Sequence, residues 1–396
     1  MSVELGNSVF SRITGLVAVA ISSMFLRSPL SAQDVDVSWF QDSAHHWYDI
    51  EDEDKLFLPS PDQPRFKPTD VRSIADNILL YQKSNGGWPK NYDMLAILTP
   101  DQKRILDSAR DDINTTFDNG ATHSQVEFLA MAYQKTGDNR YRDACLRGLH
   151  FILAAQYSNG GWPQFFPDTT GYRKYITFND GAMVGIMTVL LHILQNDPHY
   201  SFVTPVLREE VQQAFDRGVD CILKCQLVQD GVLTAWGQQH DNIDFHPQSA
   251  RAFEPASLAG RESAEITLLL MSIDKPGKRV VQSVQAAVRW LVRSEIQGMR
   301  VDEFKAPVAR YKYRTVDYDR RVVKDSNALP IWARMYELGT NTPLFCNRDK
   351  KPVYSLAEVD RERRAGYSWY GCEPAEVLKE YPAWQKKWSP DDNALK

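Results

Sequence analysis

The sequence predicts a mainly α chain, an α/α toroid of helical hairpins stacked around an axis with few short strands. Three observations predict it. The segment Asn85-Gly86-Gly87-Trp88-Pro89 recurs as Asn159-Gly160-Gly161-Trp162-Pro163, and a glutamine leads each copy, Gln82 and Gln156. A degraded third copy runs from Gln226 through Asp230-Gly231 to Trp236-Gly237. Each copy follows a helix-like stretch, residues 74–81, 144–155 and 211–224. A unit of helix then Gly-rich aromatic turn cannot bury its apolar face alone, so it stacks on its neighbours.

Taken in order, residues 1–32 read as a secretory signal. Arg12 precedes an apolar run over residues 13–26, and Ala32 offers a small residue for cleavage before Gln33. Glu4, Arg27 and Leu30 depart from the usual pattern. The run is too short for a membrane span, and no later segment is apolar for long enough, so no stable membrane insertion is expected. Export, to a secreted or periplasmic location, follows from that signal. Residues 33–68 are acidic and aromatic and are expected to be an irregular segment against the body.

The toroid is expected over residues 69–396. Asp70 is placed to cap a helix whose apolar positions include Val71, Ile74, Ile78 and Leu79. Residues 126–136 form a helix ending at Gly137-Asp138, and 141–155 follow. Residues 183–194 are apolar all round and so buried. Further helices are expected over 203–224, 264–273, 280–296 and 328–338. Strands are expected only near 232–235 and 321–323. Residues 298–327 hold few apolar side chains and many Arg, Tyr and Asp, which reads as a long functional loop or lid.

Composition narrows the class of partner. The chain has 396 residues, 43% hydrophobic and 24% charged, with net charge −5. That balance argues against nucleic acid and leaves an anionic ligand open, since local arginines or a metal reverse the sign within a cleft. The five cysteines show no paired CxxC zinc spacing, and buried small hydrophobes are their expected role. A monomer is expected.

The chemistry gathers in polar clusters that precede helices. Thr116-Phe117-Asp118-Asn119-Gly120-Ala121 leads into one and Thr177-Phe178-Asn179-Asp180-Gly181-Ala182 into the next. In that register Asp118 and Asp180 fall one place apart. Helix capping accounts for a lone aspartate there, worth about 1 kcal/mol. Two copies on adjacent hairpins can instead hold a hard cation such as calcium, or serve as general acid and base. A third cluster runs from Asp241 through Arg251-Ala252-Phe253-Glu254-Pro255 to Glu262. Beyond it, Arg310, Arg314, Arg320, Arg321, Lys324 and Arg334 alternate with Tyr311, Tyr313 and Tyr318. Guanidinium forks with aromatic faces suit a carboxylated sugar. Trp88 and Trp162 either offer flat faces to such a ring or plug the hairpin ends.

These motifs together resemble polysaccharide lyase family 10, bacterial pectate lyases. Asn-Gly-Gly-Trp-Pro, Thr-Phe-Asp-Asn-Gly-Ala-Thr, Phe-Asn-Asp-Gly-Ala and Ala-Arg-Ala-Phe-Glu-Pro carry the likeness. So do the segments from Pro330 to Leu338, Phe345 to Asp349 and Gly366 to Tyr370. It spans roughly Thr69 to Tyr370; Lys350 stands where the family often has Gly.

The resemblance implies a toroid with a long cleft and calcium-dependent β-elimination of polygalacturonate, with pectate as partner. It implies Asp180 as ligand of the catalytic calcium, Asp118 as the second acid near it, and Arg251 as base for the C5 proton. Lys174, Arg314, Arg320 and Arg334 become candidates for substrate carboxylates, with Trp88 and Trp162 as substrate-binding surfaces. Arginine as base needs a strongly disfavoured charge, because in water it holds its proton above about pH 12. The rivals are a glycoside hydrolase using Asp118 and Asp180 as acid and base, a terpenoid cyclase, and a pectin-binding protein without turnover. Asp111-Asp112 lacks the acid-rich continuation that a cyclase uses.

Overall fold

The computed structural model describes residues 37–51 and 55–396; the expected signal segment, 1–32, lies outside the described residues. The helices are α1 (Gln41–Asp49), α2 (Val71–Tyr81), α3 (Pro100–Ser108), α4 (His123–Thr136), α5 (Asn139–Ala155), α6 (Ala182–Leu194), α7 (Pro205–Cys225), α8 (Gly260–Met271), α9 (Lys278–Arg293), α10 (Arg361–Gly366) and α11 (Pro374–Trp388). None among the described residues is long and apolar enough to cross a membrane.

The helices pack in two rows. In one, α4 contacts α6, α6 contacts α8, and α11 lies against α8 and α9; in the other, α2, α5, α7 and α9 follow one another. The pairs α4–α5, α6–α7 and α8–α9 join the rows as hairpins. Sequence periodicity decides which row a helix joins. Helix α6 is apolar all round and buries eleven of its residues, whereas α7 alternates and buries one face through Leu207, Val211, Phe215 and Ile222.

The repeated turn explains the stacking. Gln82 donates through Nε2 to the carbonyls of Gly86 and Ala144, at 2.9 and 2.9 Å. Gln156 does the same to Gly160 and Ala214, at 3.0 and 2.8 Å. Gln226 repeats it to Thr234 and Ser283, at 2.9 and 3.0 Å. Each glutamine therefore ties its own turn to the next helix of the same row. Trp88, Trp162 and Trp236 each donate Nε1–H at 2.8 Å to a carbonyl of the preceding helix, Ile78, Ile152 and Ile222. The degraded third copy is thus a full structural repeat.

This arrangement corrects one expectation. Trp88 and Trp162 are 0% exposed, with their polar N–H already paired, so they plug the hairpin ends and present no face to a ligand.

A fourth copy is interrupted. Trp332 donates to Leu291 of α9 at 2.7 Å, as its three counterparts do. Between them stands an antiparallel hairpin, β1 (Met299–Arg310) and β2 (Thr315–Lys324). The expected loop at 298–327 is therefore mostly strand. Its signal was hidden because both faces are largely polar: Arg321 pairs with Asp302 at 2.9 Å and Arg320 with Glu303 at 3.2 Å across the strands. The helix expected at 328–338 is also absent. Pro330 interrupts it, and the fully buried run from Trp332 to Tyr336 forms two short strand pairings, with Tyr370–Gly371 and Leu258–Ala259.

Smaller differences follow the same logic. Residues 33–68, expected to be irregular, contain α1. Asp70 does not cap α2; its carboxylate accepts the Lys67 N–H at 3.0 Å. Helix α3 carries a capping box, Thr99 with Gln102, that marks its start. Cys145, Cys221, Cys225 and Cys346 are buried and all five cysteines are free.

Candidate active site

The starts of α4 and α6 lie side by side at one rim, each preceded by a one-turn 3-10 segment, Asp118–Gly120 and Asn179–Gly181. Both turns use a left-handed residue, Asn119 at φ 51° and Asp180 at φ 50°. Asn and Asp tolerate that conformation better than other side-chain-bearing residues. Asp180 thus occupies the backbone position of Asn119, and Asp118 that of Asn179.

Neither aspartate caps its helix, so the capping explanation fails. Asp118 accepts from Lys90 Nζ at 2.8 Å and from Gln164 Nε2 at 3.0 Å. Asp180 accepts from Arg334 Nη2 at 3.1 Å and from Asn179 Nδ2 at 2.8 Å. Burial alone would push the Asp180 carboxyl up, but Arg334, Arg251 and Arg261 outweigh it and hold it well below the usual carboxylate range. It is a fixed anion.

Arg334 is placed differently from expectation. Its side chain is 5% exposed, and Nη2 also donates to Asn179 Oδ1 at 2.7 Å and to Glu262 Oε1 at 2.8 Å. Its guanidinium stacks over Tyr367 at 4.7 Å. A charge so enclosed orients Asp180 and neutralises Glu262, rather than reaching out to a substrate carboxylate. Arg314 is buried as well, beside Gly366 and 3.5 Å from the Tyr318 hydroxyl. It braces the hairpin turn, contrary to the expected substrate contact.

Arg251 remains reachable, with 39% of its side chain exposed. Glu254 grips it in a fork, Nε to Oε2 at 2.8 Å and Nη2 to Oε1 at 2.5 Å, and Phe253 lies 5.0 Å beneath. Partial desolvation pulls the guanidinium down, but Glu254 above all, then Asp180 and Tyr367, raise it well above its ordinary value. Tyr367 donates to Glu254 Oε1 at 3.1 Å, and Gln238 Nε2 links Tyr367, Glu262 and Asn179 at 3.2, 3.0 and 3.1 Å. One hydrogen-bonded network therefore runs from Arg251 to Asp180.

Arg320 contacts Glu303 and the Tyr367 carbonyl, at 3.2 and 3.4 Å, and is 27% exposed. Lys174 is exposed, 5.6 Å from the Tyr175 ring. The Tyr172 hydroxyl is pushed up by burial, while Lys90 and Arg251 pull it down. Glu262, Gln238, Tyr367 and Lys90 were not singled out from sequence as site residues. Glu262 ended the third polar cluster and Tyr367 lay in a motif, but nothing marked their partners.

The comparisons fall on this framework. A family model described as pectic acid lyase matches residues 82–378. Two solved structures of a family 10 polysaccharide lyase from Cellvibrio cellulosa are similar. One, an aspartate-to-alanine mutant in complex with trigalacturonic acid, is 32% identical, covers 81% of this chain and 93% of that one, and superposes with a TM-score of 0.67. The other is 33% identical over 79% and 92%, with a TM-score of 0.68. Among curated proteins none matches. With its helical hairpins and a family match over most of its length, the chain belongs to the pectic acid lyases of polysaccharide lyase family 10.

Proposed function

We propose that this lyase cleaves polygalacturonate by calcium-dependent β-elimination, releasing 4,5-unsaturated oligogalacturonides. The observation that carries the reading is the fixed Asp180 anion joined through one network to the reachable guanidinium of Arg251. The trigalacturonic acid held by the similar lyase supports a uronate substrate.

Asp180 and Asp118 supply hard oxygen donors of the kind calcium takes. Among the described residues no three His, Cys, Asp or Glu side chains gather as a metal-binding group. In this reading the two carboxylates would hold a calcium ion only together with substrate oxygens, not in a closed protein cage. When bound, that ion supplies charge that stabilises the uronate carboxylate as electron density builds on it.

The chain's own residues do the rest. Arg334 holds Asp180 in place and ionised. Lys174, exposed, and Arg320, partly exposed, are the cations assigned here to uronate carboxylates. Arg251 takes the C5 proton; the C5–H electron pair becomes the C4–C5 double bond, the C4–O bond breaks, and water protonates the leaving oxygen. The Glu254 fork opposes that role by stabilising the charged guanidinium, so proton removal requires the fork to loosen and is favoured at alkaline pH. The apolar run at residues 13–26 supports action outside the cytoplasm, where a polymer is accessible.

The test is digestion of polygalacturonate with calcium or excess chelator, following the conjugated double bond. Unsaturated product only with calcium is expected. Reducing ends without the double bond would indicate hydrolysis, and equal rates in chelator would remove the metal from the mechanism. Asp180→Ala should abolish turnover and weaken calcium-dependent binding of trigalacturonate, read by calorimetry.

A further inference from the structure

The two candidate calcium ligands are held in different ways. Arg334 is enclosed and shared, its Nη2 serving Asn179 Oδ1, Glu262 Oε1 and Asp180 Oδ1 together. It cannot leave Asp180 without also stripping Glu262, a fully buried acid. The other oxygen of Asp180, Oδ2, receives a neutral donor, the amide of the adjacent Asn179 at 2.8 Å.

Both oxygens of Asp118 are taken, Oδ1 by Gln164 Nε2 at 3.0 Å and Oδ2 by Lys90 Nζ at 2.8 Å. That ion pair is enclosed, with 13% of the Lys90 side chain and 7% of the Asp118 side chain exposed.

The chain fixes the backbone around this pair and leaves the lysine stem to move. Lys90 follows the buried Trp88 and Pro89 of the first repeat turn. The next residue, Asn91, has φ 62°, and its Oδ1 accepts from Asn119 Nδ2 at 2.8 Å. Asn119 is the left-handed residue beside Asp118, so the two backbones are tied one residue beyond the pair. A lysine ends in a point charge on a flexible four-carbon stem, whereas a guanidinium is bound through its plane. The Lys90 ammonium also lies 5.3 Å from the Phe165 ring, a face on which a cation can rest. Its charge reaches the side where the base stands: burial raises the Tyr172 hydroxyl, and both Lys90 and Arg251 lower it.

Calcium takes carboxylate oxygens at about 2.3–2.6 Å. An ammonium on the same Asp118 oxygen would then stand close to a divalent charge, with little solvent to screen the repulsion. Calcium and Lys90 therefore compete for Asp118.

We propose that Lys90 is the exchangeable counter-ion of Asp118: calcium displaces its ammonium, which swings to a uronate carboxylate, so that metal and substrate bind as one coupled event. This rests on the proposed calcium-dependent elimination and adds how the metal enters. Without substrate the ammonium has no better partner than Asp118, and calcium binds weakly. With substrate the displaced charge is paired again, and each ligand raises the affinity of the other by the same factor.

Calorimetric titration with calcium alone tests the exchange. Lys90→Met keeps the stem and removes the charge, and without substrate it should bind calcium about tenfold more tightly than the wild type. Lys90→Arg keeps the charge and should remain weak. Unchanged or weaker calcium binding by a folded Lys90→Met overturns the inference and makes Lys90 a structural prop of Asp118. A second arm needs no substitution at position 90. In Arg251→Ala, which stops turnover, saturating trigalacturonate should tighten calcium by about tenfold or more. Calcium affinity independent of trigalacturonate overturns the inference, as does equal coupling when Lys90→Met is added. Asp118→Ala separates the underlying reading. If that variant binds calcium beside trigalacturonate as the wild-type residue does, Asp118 is no ligand and the exchange falls while elimination stands. If calcium binds none of these proteins with trigalacturonate present, the calcium reading fails and this inference with it.

Discussion

Arg334 and Asp180, 154 residues apart in the chain, are joined by a 3.1 Å ion pair at the rim of the helical hairpins. The same Nη2 holds Glu262, whose side chain is 0% exposed. A buried cation shared between two acids positions both, and removing it leaves charge with no solvent to screen it.

Arg334→Ala should therefore cost stability as well as activity, about 3–5 kcal/mol as for other broken buried pairs. Denaturant titration measures the loss. Unchanged stability with a raised KM would return Arg334 to the role of substrate anchor.

Arg251→Ala should lower kcat by roughly 10²–10⁴, the usual worth of a positioned acid–base group, with little change in KM. Arg251→Lys keeps charge but loses the fork and should not rescue turnover. Kinetics on trigalacturonate decide it: a large KM rise with kcat intact would make Arg251 a binding residue.

Glu254→Gln should move the pH–rate profile. Glu254 raises the Arg251 guanidinium, and a base works deprotonated, so removing that carboxylate lets the rate rise at lower pH than in wild type. A profile that keeps its position would mean that Arg251 does not titrate in the rate-limiting step.

Gly86→Ala and Gly160→Ala should each destabilise the fold. Both sit at φ 95°, and a Cβ at Gly86 would lie 2.5 Å from the Arg147 carbonyl oxygen, with Arg217 crowding Gly160 in the same way. A loss above about 1 kcal/mol is expected for alanine at positive φ. Calorimetry checks it; equal melting temperatures would show that the turns relax freely.

Acid should weaken the fold before the carboxylates titrate. His123 and His240 are buried and burial lowers each to about 4. His240 accepts the Gly237 N–H at 2.9 Å while its other ring nitrogen, 2.8 Å from the Phe245 carbonyl, donates, so a second ring proton would face a donor. Folded values below the unfolded 6.5 mean that this stability is complete above pH 6.5 and lost as pH falls toward 4, roughly 3 kcal/mol per histidine. Melting temperature against pH measures the slope. A flat profile between 6.5 and 4 would contradict it.

The sequence by itself determined the repeating unit, most of the helices between residues 71 and 293, and the family, and it singled out Asp118, Asp180 and Arg251 as candidates. All of these are local patterns: Gly and Pro set the turn, apolar period sets the helix, and each repeat carries its own signal. Tertiary structure alone decided where the charges and rings go. Trp88 reads the same whether it faces a sugar or Ile78, because the answer depends on the next hairpin. Arg334 and Arg314 look like free cations until distant acids and Gly366 close around them. The β1–β2 hairpin shows no apolar alternation because cross-strand ion pairs, not a buried face, accompany its ladder. The run at 332–336 reads as helical because it is apolar, yet its partners are strands from elsewhere in the chain. Pairing energy between residues far apart in sequence leaves no periodic trace in either segment, so only the folded chain reveals it.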